Sequence, residues 1–267
     1  MPYSTNDIVE LQHMPRGGPT AGWLDRVLQT DRLEYLDRDD VPEEVKQAVI
    51  SAIRRFGERV GIHERFARFS VDLVGDVAEP KILELGAGHG ELSAQILALH
   101  PGAQVTVTDI NPTLVMNIAS GPVGQNPRAT TQVMDATDID SADGSYDLVV
   151  FAGSFHHLPP ATACRAIVEA TRVGKQLVVI DGMRPPAAVL LMLLGLALPV
   201  IGVVAALSSK RRPALHDSLI SSLRFYSKSA FTALGRTADP ALSANFLPIY
   251  RFMPIGLGAV VYRKPGR

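Results

Sequence analysis

Residues 82–93, Ile-Leu-Glu-Leu-Gly-Ala-Gly-His-Gly-Glu-Leu-Ser, set an apolar run, a glycine turn and a helical pattern end to end. Lys81 to Leu85 reads as a short buried strand. Gly86, Gly88 and Gly90 follow, and Leu92, Ile96 and Leu99 then recur at helical spacing. A strand that feeds a helix through such a turn opens an α/β sheet. Glycine is needed where the backbone takes positive φ or comes close to a ligand, and turns at the carboxyl ends of strands are where open α/β sheets bind nucleotides. A nucleotide-like cofactor is therefore the first expectation.

Spacing narrows the choice. A dinucleotide fingerprint, Gly-x-Gly-x-x-Gly, would put its third glycine at the position of Glu91, whereas the glycine falls one residue earlier at Gly90. A phosphate-binding loop would need lysine and a hydroxyl residue after its last glycine, where Glu91 and Leu92 stand. What remains is an adenosine cofactor without a phosphate chain and with a positive centre, which suits Glu84 and the lack of any basic residue from Glu84 to Gly88. S-adenosylmethionine fits that description.

Glu84-Leu-Gly86-Ala87-Gly88-His-Gly90 resembles the first motif of class I S-adenosylmethionine-dependent methyltransferases, and the resemblance runs from about Lys81 to the C-terminus. It implies a doubly wound, Rossmann-like α/β sheet whose last strand lies antiparallel between the fifth and sixth. The cofactor residues it implies are Glu84, Gly86, Ala87, Gly88 and Gly90 in the turn, Asp109 and Ile110, and Asp135 and Ala136. Asp109 falls 23 positions after Gly86 (109 − 86), at the end of an alternating run from Gln104. A carboxylate there can accept hydrogen bonds from both ribose hydroxyls. Asp135 and the neighbouring amide stand where the family recognises adenine, after a third strand read at Thr131 to Met134.

Tyr146 to Phe151 reads as a fourth strand, apolar on both faces as a central parallel strand must be. The loop after it, Ala152-Gly-Ser-Phe-His156-His157-Leu-Pro-Pro160, lies at the sheet edge where a methyl group would be transferred. It lacks the Asp/Asn-Pro-Pro-Tyr/Phe motif of base-methylating enzymes. His156 and His157 are the catalytic candidates, because imidazole titrates near neutral pH and is the commonest general base. Positioning beside the sulfonium can also supply much of the rate without either histidine. No metal ligand is assigned.

The chain has 267 residues, 46% hydrophobic, with a net charge of −1, so it can bury one large core and has nothing general to attract nucleic acid. A single cysteine, Cys164, excludes an intrachain disulfide and agrees with a reducing, cytoplasmic setting. The first residues are polar and do not read as a signal peptide. Residues 1–76 are expected to form an arm and a helical cap. The arm, Met1 to Thr20, is taken as poorly ordered and without chemistry. Short amphipathic helices follow over Ala21 to Asp40, then a helix from Pro42, with Asp40 as its cap, to about Gly57, and a second over Ile62 to Val74. Residues 77–267 form the methyltransferase domain with an insertion over 184–226. Asn111 with Pro112, Pro160, and Ser227 start further helices, the last with Gly235 as its stop.

The insertion carries Pro185 to Ser209, 25 residues without a charge, flanked by Arg184 and by Lys210-Arg211-Arg212. Alone it would be a transmembrane segment. One crossing would part the first five strands from the last two, so the segment is expected to enter and leave on one side. Pro199 would break it into two short helices that form an apolar lid over the acceptor pocket. Short stretches around Leu198 to Gly202 and Ser218 to Ser227 resemble ubiquinone and menaquinone biosynthesis methyltransferases, which implies a small lipophilic acceptor and favours O- or C-methylation. Peripheral membrane contact and a homodimer through this segment both stay open. So do a methyltransferase-like fold with another reaction, such as a cyclisation, a cofactor-binding protein without activity, and a membrane-anchored protein.

Overall fold

The computed structural model describes residues 11–249 and 256–264. Five strands, β1 (Lys81–Leu85), β2 (Gln104–Asp109), β3 (Ala129–Val133), β4 (Leu148–Ala152) and β5 (Gln176–Gly182), run parallel. β7 (Leu257–Arg263) runs antiparallel between β5 and β6 (Ser243–Pro248), giving the order β3-β2-β1-β4-β5-β7-β6. The expected antiparallel last strand is thus in place.

Alternation along the strands divides the core between the two faces of the sheet. Leu83, Leu85, Val149, Phe151, Leu177 and Val179 face one side with Ile167 of α6 (Pro160–Val173) and Phe231 of α9 (Lys228–Ala238). Ile82, Val105, Val107, Leu148 and Val150 face the other, with Phe66 of α3 (Ile62–Val74), Ile96 of α4 (Glu91–Leu99) and Ile118 of α5 (Pro112–Ser120). Glu84 belongs by register to this second side, and that fixes its surroundings below. α2 (Glu43–Val60) joins α3 through Gly61, whose φ of +62° lets one helix turn directly into the next. α1 (Trp23–Val27) and a 3₁₀ turn, Tyr35–Asp37, precede them.

Several local expectations hold. The Asn111 side chain accepts from the Thr113 amide (2.9 Å), and Ser227 accepts from the Ala230 amide (3.1 Å), so both cap their helices. Others do not. Asp40 pairs with Arg38 at 2.6 Å and caps nothing; Pro42 occupies the position before α2. Gly235 does not stop α9, which runs on to Ala238. A Cβ there would lie 2.5 Å from Cε1 of Tyr262, so glycine serves close approach of helix to strand. The arm is also no loose segment where it is described: Leu11 and Met14 join the core and Arg16 is buried. The part of that expectation covering residues 1–10 lies outside the described residues.

The largest departure is α7 (Ala187–Leu207), one continuous helix of 21 residues with Pro199 inside it. Pro199 removes a single backbone bond, and strong helix formers, Leu, Ala and Met, occupy most of the first three turns. The helix is about 32 Å long at ~1.5 Å per residue. Among the described residues it alone is long and apolar enough to cross a membrane, with mean hydropathy 2.7, and only 6% of that stretch is buried. Its most exposed side chains, Met192, Leu196, Val200, Val203 and Leu207, fall on one stripe. α8 (Arg212–Arg224) brings the chain back, and the excursion opens and closes on one bridge, Met183 with Tyr226, where the Arg184 amide donates to the Tyr226 carbonyl at 3.0 Å.

Candidate active site

The three glycines of the first turn take φ of +63°, +58° and +78° at Gly86, Gly88 and Gly90. A Cβ at Gly86 would lie 2.6 Å from Ser154 Oγ, so the β1 and β4 loops are packed edge to edge; at Gly88 the same atom would meet nothing within 4 Å. The turn therefore presents bare backbone to open space at Gly88. Beneath it, Asp109 accepts the Gly88 amide on Oδ2 (3.0 Å) and the Asn111 amide on Oδ1 (2.9 Å). The Ala87 amide donates to the Thr108 carbonyl (2.9 Å), locking turn and β2 together. Ile110, just beyond β2, is 67% exposed and offers an apolar surface at the rim.

Glu84 is almost fully buried, and its carboxyl accepts the Ser93 hydroxyl from the first turn of α4. Burial pushes it up to about 8, against the Ser93 hydrogen bonds that favour the anion. Its direct reach is to α4, so it acts on the glycine turn through that helix. Asp135 is exposed, and its Oδ1 accepts both the amide and the hydroxyl of Thr137 (2.8 Å each), a local turn, with Ala136 half-buried beside it.

Phe155 fixes the loop after β4. It is fully buried, edge-on to Phe151 and Tyr226 with ring centroids at 5.4 and 5.9 Å, and stacked on Phe231 at 5.6 Å. The 3₁₀ turn Phe155–His157 that it anchors sets the two histidine rings side by side, centroids 4.3 Å apart. His156 Nδ1 lies 2.9 and 3.0 Å from the two Asp181 oxygens, and its amide donates to Asp181 Oδ2 at 2.9 Å. His157 Nδ1 meets Asp37 Oδ2 at 2.8 Å. Glu34 faces both rings, Oε1 being 3.4 Å from His156 Nε2 and Oε2 3.9 Å from His157 Nε2.

Burial alone would lower His156, but the Asp181 and Glu34 carboxylates outweigh it and push the ring up to about 9. Burial likewise would raise Glu34 and Asp181, and the imidazoles hold both below the usual carboxylate range. An imidazolium at neutral pH has no lone pair to take a proton. These surroundings favour a positioning role for His156 over that of a general base.

Sequence reasoning missed the partners of this cluster. Asp181 was readable in principle, since it closes an apolar strand just as Asp109 does. Glu34 and Asp37 were not, because their stretch has no periodicity that would place it over the carboxyl edge of the sheet. Arg16 and Arg224 complete the surround: Arg16 Nη1 donates to the carbonyls of His156 (2.7 Å) and Arg224 (2.6 Å), and Arg224 Nη2 to that of His157 (2.8 Å).

Comparison with known proteins gives this geometry its identity. The family described as a methyltransferase domain matches residues 82–176, from β1 into β5. Demethylmenaquinone methyltransferase of Beutenbergia cavernae is 29% identical over 166 residues, 62% of this chain and 67% of its own length. Malonyl-[acyl-carrier protein] O-methyltransferase of Geobacter sulfurreducens is 33% identical over 102 residues, 38% of this chain and 37% of its own. Among solved structures, the plantazolicin methyltransferase BpumL in complex with SAH shares the fold at a TM-score of 0.60 and 13% identity, over 97% of this chain and 98% of that one. The chain thus spans about two thirds of one curated relative and much less of the other, with the matched part centred on the glycine turn. Strand order, turn and matched domain agree: residues 82–176 match a methyltransferase domain, the chain has the fold of a solved methyltransferase, and together they support a class I S-adenosylmethionine-dependent methyltransferase.

Proposed function

We propose that this enzyme methylates a small lipophilic acceptor, at oxygen or carbon, and that α7 brings it to an apolar surface where such acceptors reside. The observation that carries the reading is α7 itself. An all-apolar helix is ordinarily buried, yet this one has Leu190 as its one buried residue, on a domain whose curated relatives include enzymes named for demethylmenaquinone. α8 argues against a crossing: at 13 residues it is too short to return through a bilayer, and its buried Asp217 and Arg224 are charged. α7 lies along the surface instead, with exposed Arg211 and Arg212 at its end to meet anionic head groups. The cytoplasmic side of a membrane is the proposed location.

The residues of the turn suit the cofactor. S-adenosylmethionine supplies an electrophilic methyl group on a sulfonium. Gly88 leaves room for it against bare backbone, Asp109 keeps acceptor capacity for the ribose hydroxyls, Ile110 covers one face of the adenine, and Asp135 with the Ala136 amide meets its edge. Asp181, Glu34 and Asp37 hold His156 and His157 as a fixed wall beside the loop after β4, so acceptor and cofactor meet with little freedom left to lose.

The test is a variant with Leu196, Val200, Val203 and Leu207 all replaced by Gln, positions 59% or more exposed. The wild type should sediment with vesicles containing anionic lipid and turn over lipophilic quinols; the variant should stay in the supernatant, lose most of that turnover and keep its affinity for S-adenosylmethionine. A wild type that ignores vesicles but forms a dimer that the variant dissolves would make α7 an oligomer contact and overturn the reading.

A further inference from the structure

Glu34, His156 and His157 each offer one possible ligand atom, and those three atoms lie within 4.8 Å of one another. The Nε2 of each histidine faces the Glu34 carboxylate, His156 at 3.4 Å from Oε1 and His157 at 3.9 Å from Oε2. Both histidines have Nδ1 taken by a carboxylate, His156 by Asp181 at 2.9 Å and His157 by Asp37 at 2.8 Å. A ring held this way commits Nδ1 to its carboxylate and leaves Nε2 as the outward nitrogen, which is how metal-ligating histidines are oriented. Glu34 is fixed as well, its Oε1 accepting the Ser221 hydroxyl at 2.7 Å.

The second, independent observation is that His156 Nε2 has no hydrogen-bond partner, although the ring is only 6% exposed. That nitrogen is aimed at Glu34 Oε1, which stands 3.4 Å away, longer than a well-formed hydrogen bond. The spacing suits a small cation. Ligands about 2.0–2.1 Å from a tetrahedral zinc ion stand roughly 3.3–3.4 Å apart; Glu34 Oε1 is 3.4 Å from His156 Nε2, and the other oxygen, Oε2, is 3.9 Å from His157 Nε2.

We propose that Glu34, His156 and His157 form a transition-metal site of the zinc type, with Asp181 and Asp37 as the carboxylates that orient its histidines. Three protein ligands leave a fourth position open, on the side where His157 remains 26% exposed. A ligating imidazole is neutral, so metal binding would take any proton from His156 Nε2. Arg224 is the one nearby competitor, Nη1 standing 3.9 Å from Glu34 Oε1, but it is committed at 3.0 Å to Asp37. Because Glu34 comes from the N-terminal segment and the histidines from the loop after β4, the metal would clasp the two together at the carboxyl edge of the sheet.

The inference does not depend on the identity of the acceptor and is tested without turnover. Untagged full-length protein, freed of metal with a chelator, is titrated with Co²⁺, read by visible absorption, and with Zn²⁺, read by calorimetry. One Co²⁺ per chain with the absorption of a four-coordinate site is expected, displaced by Zn²⁺. His157→Ala and Glu34→Gln should each weaken binding by ~100-fold or more, and Asp37→Asn by ~10-fold. Circular dichroism and the melting curve establish that each variant is folded; His157, being partly exposed, can be removed with least harm and decides the matter if Glu34→Gln does not fold. Absence of Co²⁺ absorption and of Zn²⁺ heat in the wild type, or undiminished binding by folded His157→Ala, would overturn the proposal.

Discussion

Glu84 is a carboxyl forced indoors by strand register. Its folded value of about 8 lies above the ordinary 4.5 because burial outweighs the Ser93 hydrogen bonds. The folded state therefore binds this proton more tightly than the unfolded state. Its stabilising share is complete below about pH 4.5 and is lost as pH rises through 8. Glu84→Gln keeps the shape without the charge, so its melting temperature should exceed that of the wild type by about 2–6 °C near pH 8.5 and converge with it in acid, for a gain of about 1–2 kcal/mol; parallel curves across the range would refute this. Asp109 is placed differently, accepting the Gly88 and Asn111 amides at the turn. Asp109→Asn should weaken S-adenosylmethionine binding by ~10-fold or more in calorimetry, since charged hydrogen bonds are about twice as strong as neutral ones. Unchanged affinity in a folded variant would remove the ribose assignment. Asp109 was legible because Asn111 and Pro112 mark a helix start just after it. Glu34 was not, because its place is decided by contacts with Ser221 and the histidines, 122 or more positions away in the chain (156 − 34).

Elements made by local chemistry were read well, and those made by packing were not. The glycine turn between β1 and α4 requires only backbone conformations that glycine reaches, so its sequence carries the whole instruction. Gly235 looked like a stop by the same reasoning, yet its meaning lies in the ring of Tyr262 across the α9–β7 contact, which no window of sequence contains. Gly235→Ala should cost ~1–3 kcal/mol in denaturant unfolding through overpacking while leaving cofactor affinity unchanged; a stability equal to the wild type would show that the contact can relax. α7 exposes the same limit. Composition and length gave an apolar segment and a proline, but whether one lost backbone bond breaks a helix depends on how strongly its neighbours hold helical form.

At the scale of the molecule, the α/β class and the position of the turn were legible, since a parallel sheet with helices on both faces follows from alternating apolar strands and helical patterns, whereas the place of the last strand came from the family resemblance. The wrapping of residues 11–42 was not. It brings Arg16, Glu34 and Asp37 onto the loop after β4, so the site draws on segments at both ends of the chain. The order of synthesis follows from the same topology. β5 pairs with β7, which begins 81 positions later (257 − 176), after α7 has been made. At ~5–20 residues per second, a ribosome leaves the outer edge of β5 without its partner for about 4–16 s. Through that interval the nascent chain holds an unpaired strand edge together with a 21-residue apolar helix, the two features that most invite aggregation. Production of this enzyme should therefore be limited by what chaperones or membranes receive the growing chain, more than by the stability of the finished sheet.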